Sequence, residues 1–190
     1  MKTTLIKRVK AYLIDLCFLG IALFALSLFS SPIDINDKMN TLNSDYLLGN
    51  ISFNEYLSST GEIYAENDRN NIWINVFNII YIVLYFVVFP YYNNGQTIGK
   101  KILNIKVRSM GNKEASLLQL FLRSLIITGL FYLIFTLIAL MLPFNYFILI
   151  SVFGFLQIIL VIICMIMVFV RQDRRGLHDL IGGTRVLNTK

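Results

Sequence analysis

Asp15 is the residue whose chemistry most needs explaining. It lies inside the apolar run of residues 11–29, where a carboxylate is costly unless it is neutralised, paired or wetted. Two uses fit such a group. It ties helices together by taking a partner, or it takes up a proton or a monovalent cation. Arg8, seven positions earlier, points from the same helical face. At ~1.5 Å per residue it is ~10 Å away along the axis, too far for an easy direct pair. The partner is therefore expected from another segment, and Arg123, Arg174, Arg175 and His178 all qualify. A second polar set, Asn71, Asn75 and Asn78 continued by Tyr85, falls on one helical stripe. Amides in an apolar helix want partners, so interhelical hydrogen bonds and a polar path opening outward both fit.

Other constellations exclude more than they suggest. The stretch Gly95-Gln96-Thr97-Ile98-Gly99-Lys100-Lys101 looks superficially like a phosphate loop. Its glycines are one residue too close, no Ser or Thr follows the lysine, and an apolar helix precedes it instead of a strand. It reads as a turn leading into an interfacial stretch, with Lys100 and Lys101 at the headgroups. His178 is the single histidine, so no metal centre and no histidine-based catalytic set can be assembled. Beside Asp179 it reads as a pH sensor or as an ordinary polar contact. Asp34, Asn36 and Asp37 match no calcium loop. Cys17 and Cys164 both lie in apolar runs and predict no disulfide framework. No enzyme, metal or cofactor is expected.

The elements that must position these groups follow from hydropathy. The 190 residues are 56% hydrophobic and 15% charged, with a mean hydropathy of +0.66. Soluble domains carry about a quarter charged residues, so an integral membrane protein is indicated. Four runs, about 11–29, 72–91, 117–142 and 146–170, reach the ~20 residues needed to cross a bilayer as helices. Their many Ile, Val and Phe residues favour strands in water, but open strands in lipid would leave backbone groups unpaired. Pro143-Phe144-Asn145 is expected to be a tight turn between the third and fourth spans. Two short extended pieces, residues 102–107 and 182–187, are expected to pair. The fold class is thus an all-α membrane protein of about four spans with one small β pairing, forming a single domain over residues 1–190.

Charge sorts by segment. Lys2, Lys7, Arg8 and Lys10 precede the first span, and Lys100, Lys101, Lys106, Arg108 and Lys113 fill the central loop. Arg171, Arg174, Arg175, Arg185 and Lys190 dominate the tail. The loop of residues 30–71 instead holds Asp34, Asp37, Asp45, Glu55, Glu62, Glu66 and Asp68 against Lys38 and Arg69. Four spans place the basic segments together, and the positive-inside rule makes that side cytoplasmic, with both termini there. The net charge of +6 then reflects insertion beside anionic lipid, and no nucleic-acid partner is expected. A basic start, an apolar core and small residues at Ser27–Ser31 also resemble a secretory signal peptide, but Asp15 and the lack of an Ala-x-Ala-like site argue against cleavage. The outer loop reads as solvated, with Ser52 and Glu55 in a capping-box pattern that starts a short surface helix through Tyr56 and Leu57.

Three motifs in order resemble those of the RDD family of bacterial membrane proteins, named for one arginine and two aspartates. They are Arg8-Val-Lys-Ala-Tyr-Leu-Ile-Asp15, then Gly95-Gln96-Thr97-Ile98-Gly99-Lys100-Lys101 through Lys106-Val107, then Arg174-Arg175-Gly176-Leu177-His178-Asp179 with Gly183-Thr184-Arg185-Val186. The resemblance implies Arg8, Asp15 and Asp179 as the named residues, with Asp179 taken as the second aspartate. Most such proteins have no assigned activity. Some are described as exchanging sodium or other monovalent cations for protons, which would suit Asp15, with Arg8 and Asp179 shaping its access. The competing expectation is a non-catalytic scaffold that holds a partner protein or lipid at its basic inner face. A bundle of four spans is small for a transporter, so a homo-oligomer is a reasonable expectation.

Overall fold

The computed structural model describes residues 3–30, 34–111 and 113–189. Readings that touch Lys2, Ser31 and Lys190 lie outside them. Among the described residues three helices are long and apolar enough to cross a membrane: Leu5–Ser27, Ile72–Tyr92 and Tyr146–Val170. The first (α1) begins six residues before the expected start, so Lys7, Arg8 and Lys10 lie on its opening turns.

The second span is one continuous helical path with a defect. It consists of α4 (Ile72–Val83), a π-helical turn over Leu84–Val88, and α5 (Phe89–Tyr92). Pro90 accounts for the defect. Proline has no N–H to bond the carbonyl four residues back, and its ring crowds that carbonyl, so the preceding turn widens. The widening turns three successive residues, Tyr85, Phe86 and Val87, into the interior.

The expected third span over residues 117–142 is not straight. α7 (Leu117–Ile127) and α8 (Leu130–Ala139) meet at a bend of 78°. Gly129, at φ 77°, supplies the left-handed residue that ends α7. Eleven residues rise only ~16 Å, about half the hydrocarbon thickness, so neither piece crosses alone. The carbonyls freed at the break are capped from other helices. Gln157 Nε2 donates to Ile126 O at 2.6 Å and Tyr12 Oη donates to Ile127 O at 2.7 Å. Among the described residues there are therefore three candidate spans, or four when the bent pair counts as one. Residues 140–145 then lead into α9 (Tyr146–Val170), with Asn145 as its N-cap.

The acidic segment is a second correction, for it is largely helical. α2 (Ile35–Leu47) and α3 (Phe53–Asn70) pack as a hairpin, and the expected Ser52–Glu55 capping box starts α3. Asn145 Nδ2 donates to Leu57 O at 2.7 Å, and Tyr146 bonds Asp68. These contacts fasten α3 to the start of α9, so this segment is more ordered than its solvated composition suggests.

At the opposite end lie α6 (Ile98–Ile102), β1 (Ile105–Ser109), α10 (Leu177–Ile181) and β2 (Thr184–Asn188). The expected strand pairing is present, antiparallel, with Val107 opposite Val186. Alternation along the strands buries Ile105, Val107 and Val186 against Ala11, Val87 and Leu120.

Candidate functional site

Both aspartates of the motifs are buried, Asp15 at 1% and Asp179 at 0% exposure, yet their partners differ in kind. Asp15, on α1, accepts from Tyr85 Oη at 2.7 Å and from the Gly99 backbone N–H at 2.8 Å on one oxygen. Its other oxygen accepts from Thr97 Oγ1 at 2.6 Å. Thr97 is the N-cap of α6 and Gly99 stands in its first turn, so a carboxylate from another helix satisfies donors that a helix start leaves unpaired. All three donors are neutral. The expected cationic partner is absent: among the described residues, neither Arg123, Arg174, Arg175 nor His178 pairs with Asp15. The reason is local. α6 presents its donors within reach of Asp15, and the cations are held elsewhere.

Glycine makes this approach possible. A Cβ on Gly99 would lie 2.2 Å from Ala11 O and 2.9 Å from Asp15 Oδ1. Gly95, at φ 80°, lies so close to β1 that a Cβ would stand 2.1 Å from Val107 O. Its carbonyl accepts from Val107 N at 2.8 Å, and Gln96 Nε2 donates to Ile105 O at 2.9 Å. Lys100 Nζ reaches Thr97 Oγ1 at 3.3 Å. The central motif therefore works as one clasp, joining α1, the π turn and β1.

Asp179, on α10, collects the charged partners. Arg123 and Thr184 Oγ1 (3.2 Å) donate to one oxygen. Arg8 Nη1 at 3.4 Å and His178 Nε2 at 3.5 Å face the other. Arg8 also donates to Thr3 Oγ1 at 2.7 Å, to Val186 O at 3.2 Å and to Arg174 O. The opening and closing motifs thus meet. Arg175 stands apart, paired with Asp173 at 2.7 Å. Together with Arg171 it holds the Asp173 carboxyl well below the usual carboxylate range.

A cavity of about 260 Å³ opens between α1 and α9, and Arg8, Asp15, Lys100, Arg123 and His178 reach its wall. Burial, then repulsion from Arg123, lowers the Lys100 ammonium to about 8. Burial first, then Arg123, Arg8 and Lys100, push His178 well below its ordinary value, so its imidazole is neutral at pH 7.

Sequence reasoning placed Tyr85 on the polar stripe without seeing it as the donor to Asp15. It passed over Thr184, although that residue lies in the closing motif. Of the stripe's amides, Asn71 bonds Asn67 one turn back, and Asn78 Oδ1 is buried with no hydrogen-bond partner among the described residues. Among the described residues no cluster of metal-ligand side chains occurs.

A Bacillus subtilis (strain 168) protein, YckC, described as uncharacterised, is 33% identical over 112 residues, which is 59% of this chain and 60% of that protein. The match thus spans less than two thirds of the relative. No solved structure matches the chain. The RDD family profile matches residues 2–183, nearly the whole length, and takes in Arg8, Asp15 and Asp179 with the opening and central motifs and the closing motif as far as Gly183. The chain belongs to the RDD family of membrane proteins.

Proposed function

We propose that this protein is a non-enzymatic scaffold of the cell membrane that presents a rigid basic face to a lipid or protein partner. The carrying observation is that the motif residues satisfy one another. Asp179 is consumed by two arginines and a threonine, and Asp15 by two hydroxyls and a backbone N–H. Groups arranged this way hold elements together. The basic segments gather at the motif end while the acidic helices α2 and α3 sit at the other. That distribution supports a cytoplasmic motif end, with both chain ends there. Reporter tags at each terminus test the orientation, and opposite locations would refute it. Oligomeric state follows from light scattering of the purified protein, where a homo-oligomer is expected.

A second reading, exchange of a monovalent cation for protons through Asp15, is favoured by one observation: Asp15 borders the cavity. The same wall carries Arg8, Lys100 and Arg123, whose field repels cations. Proteoliposomes loaded with a pH-sensitive dye separate the readings. The scaffold predicts no proton flux driven by sodium, potassium or lithium in folded protein. Flux that disappears in Asp15→Asn would establish the exchanger instead.

A further inference from the structure

The cavity between α1 and α9 combines an apolar mouth with a cationic floor. Leu13 on α1 and Met165 and Phe169 on α9 are more than half exposed where they border it. The two helices pack mainly on other elements, α1 on α6 and α9 on α3 and α8, which leaves the opening sideways, toward the acyl region of a bilayer. Inside stand three cations, Arg8, Lys100 and Arg123, and the cluster holds two carboxylates, Asp15 and Asp179. His178 is neutral there, so one positive charge is left over. Arg8 and Arg123 share Asp179, and Lys100 is drawn to Asp15 only through Thr97, so the surplus is spread over the three. Among the described residues no carboxylate forms an ion pair with the Lys100 ammonium, whose one hydrogen bond is the long contact to Thr97. A half-buried cation with no ion-pair partner among the described residues invites an anion from outside the chain.

We propose that this cavity is a binding site for one anionic phospholipid, whose phosphodiester lies against Lys100 and Arg123 and whose acyl chains leave between α1 and α9. Charge complementarity selects the occupant: a phosphodiester brings the single negative charge the floor lacks, and a zwitterionic headgroup brings no net charge. The volume, slightly below the ~300 Å³ at which small-ligand pockets begin, suits a headgroup and the first carbons of one chain, with the remainder in the bilayer. This site deepens the scaffold reading by naming a lipid as partner, yet it stands independently of the flux measurement, since a transporter could carry the same lipid.

Native mass spectrometry of the full chain in detergent, with phosphatidylglycerol and phosphatidylcholine supplied equally, tests the site. The expected result is one phosphatidylglycerol adduct retained at least ten-fold over phosphatidylcholine. Lys100→Gln should cut that preference at least five-fold. Lys101→Gln, which removes the exposed neighbouring charge, should leave it unchanged. Val161→Phe narrows the cavity without touching a charge and should weaken retention of both lipids, so the proposal stays testable if Lys100→Gln misfolds. Equal retention of the two lipids, or equal losses in Lys100→Gln and Lys101→Gln, would overturn the proposal. So would displacement of the lipid by millimolar inorganic phosphate, which would mark the occupant as a free anion.

Discussion

Replacing Asp179 with asparagine isolates the central electrostatic term. The carboxylate is fully buried and is the counter-ion shared by Arg8 and Arg123. Asparagine keeps the shape and can still accept from Thr184, but it leaves two guanidinium groups facing each other, with Lys100 close by. The two arginines are not equally trapped. Arg8 stands on the opening turn of α1 and already bonds Thr3, Val186 and Arg174, so it keeps partners and has a route to headgroups. Arg123 lies on α7 among Leu120, Ser124 and Ile126, and its remaining partner is Thr184 at 3.4 Å. Removing one member of a buried ion pair costs about 3–5 kcal/mol. At about 2–4 °C per kcal/mol for a chain of this size, the midpoint of thermal unfolding in detergent should fall by about 6–20 °C. Arg123→Met combined with Asp179→Asn removes the stranded charge as well, and should recover more than ~1.5 kcal/mol of the summed single losses. A loss under ~1 kcal/mol for Asp179→Asn, or strictly additive single effects, would refute the reasoning.

The remaining predictions use the same unfolding assay. Gly99→Ala places a Cβ 2.2 Å from the Ala11 carbonyl and should separate α6 from α1, costing more than ~2 kcal/mol because the Asp15 contacts go with it. Gly129→Ala meets no atom within 4 Å but sits at φ 77°, so its cost should be the conformational ~1–2 kcal/mol alone. Lys100 holds its proton less tightly in the fold, at about 8 against 10.5. The unfolded chain therefore binds more protons across that window, and stability should rise as pH climbs from 8 to 10.5. Lys100→Met should flatten the rise, and a rise unchanged in that variant would refute the assignment. Asp15→Asn should cost only ~1 kcal/mol, since the amide oxygen can keep Tyr85 and Gly99 while Thr97 rotates to accept from the new NH₂. Asp15→Leu strands three buried donors at ~1–3 kcal/mol each. Equal losses for the two variants would contradict this account of the site.

Which parts of this architecture could be read from the sequence follows from the range of the interaction concerned. Hydropathy is additive along a segment, so α1, the span Ile72–Tyr92 and α9 were legible from composition, and so was the pairing of β1 with β2 from alternation after glycines. The bend at Gly129 was not, because a glycine in an apolar run reads as a tolerated interruption. What makes the break stable is Gln157 and Tyr12 capping Ile126 and Ile127 from two other helices. Those contacts have no trace in local sequence. The α2–α3 hairpin was understated for a related reason, since its polar composition resembles solvated loop and its anchor is the distant Asn145. The partners of Asp15 are not legible in the sequence, because residue charge is visible there and the geometry of a helix start is not. A cation was the expected answer to a buried acid, and a helix start offering donors at 2.6 to 2.8 Å was the one the fold uses.

That choice of partners bears directly on whether Asp15 can serve an ion. A carboxylate offers about four lone-pair positions, and Tyr85, Gly99 and Thr97 occupy three, each with a proton directed at the oxygens. A metal cation arriving from the cavity would meet those protons and then the field of Lys100 and Arg123. Binding it would require Tyr85 and Thr97 to turn their hydroxyls away and the α6 start to give up its contact. Because Gly99 lies against the Ala11 backbone, that contact can yield only if α6 moves as a body, carrying β1 and its partner β2 with it. Ion exchange through Asp15 thus demands a displacement of the whole motif end, whereas lipid binding at Lys100 demands none. Cross-linking β2 to α1 through cysteines at Val186 and Ala11, which pack in one cluster, would hold the motif end in place and abolish the first activity.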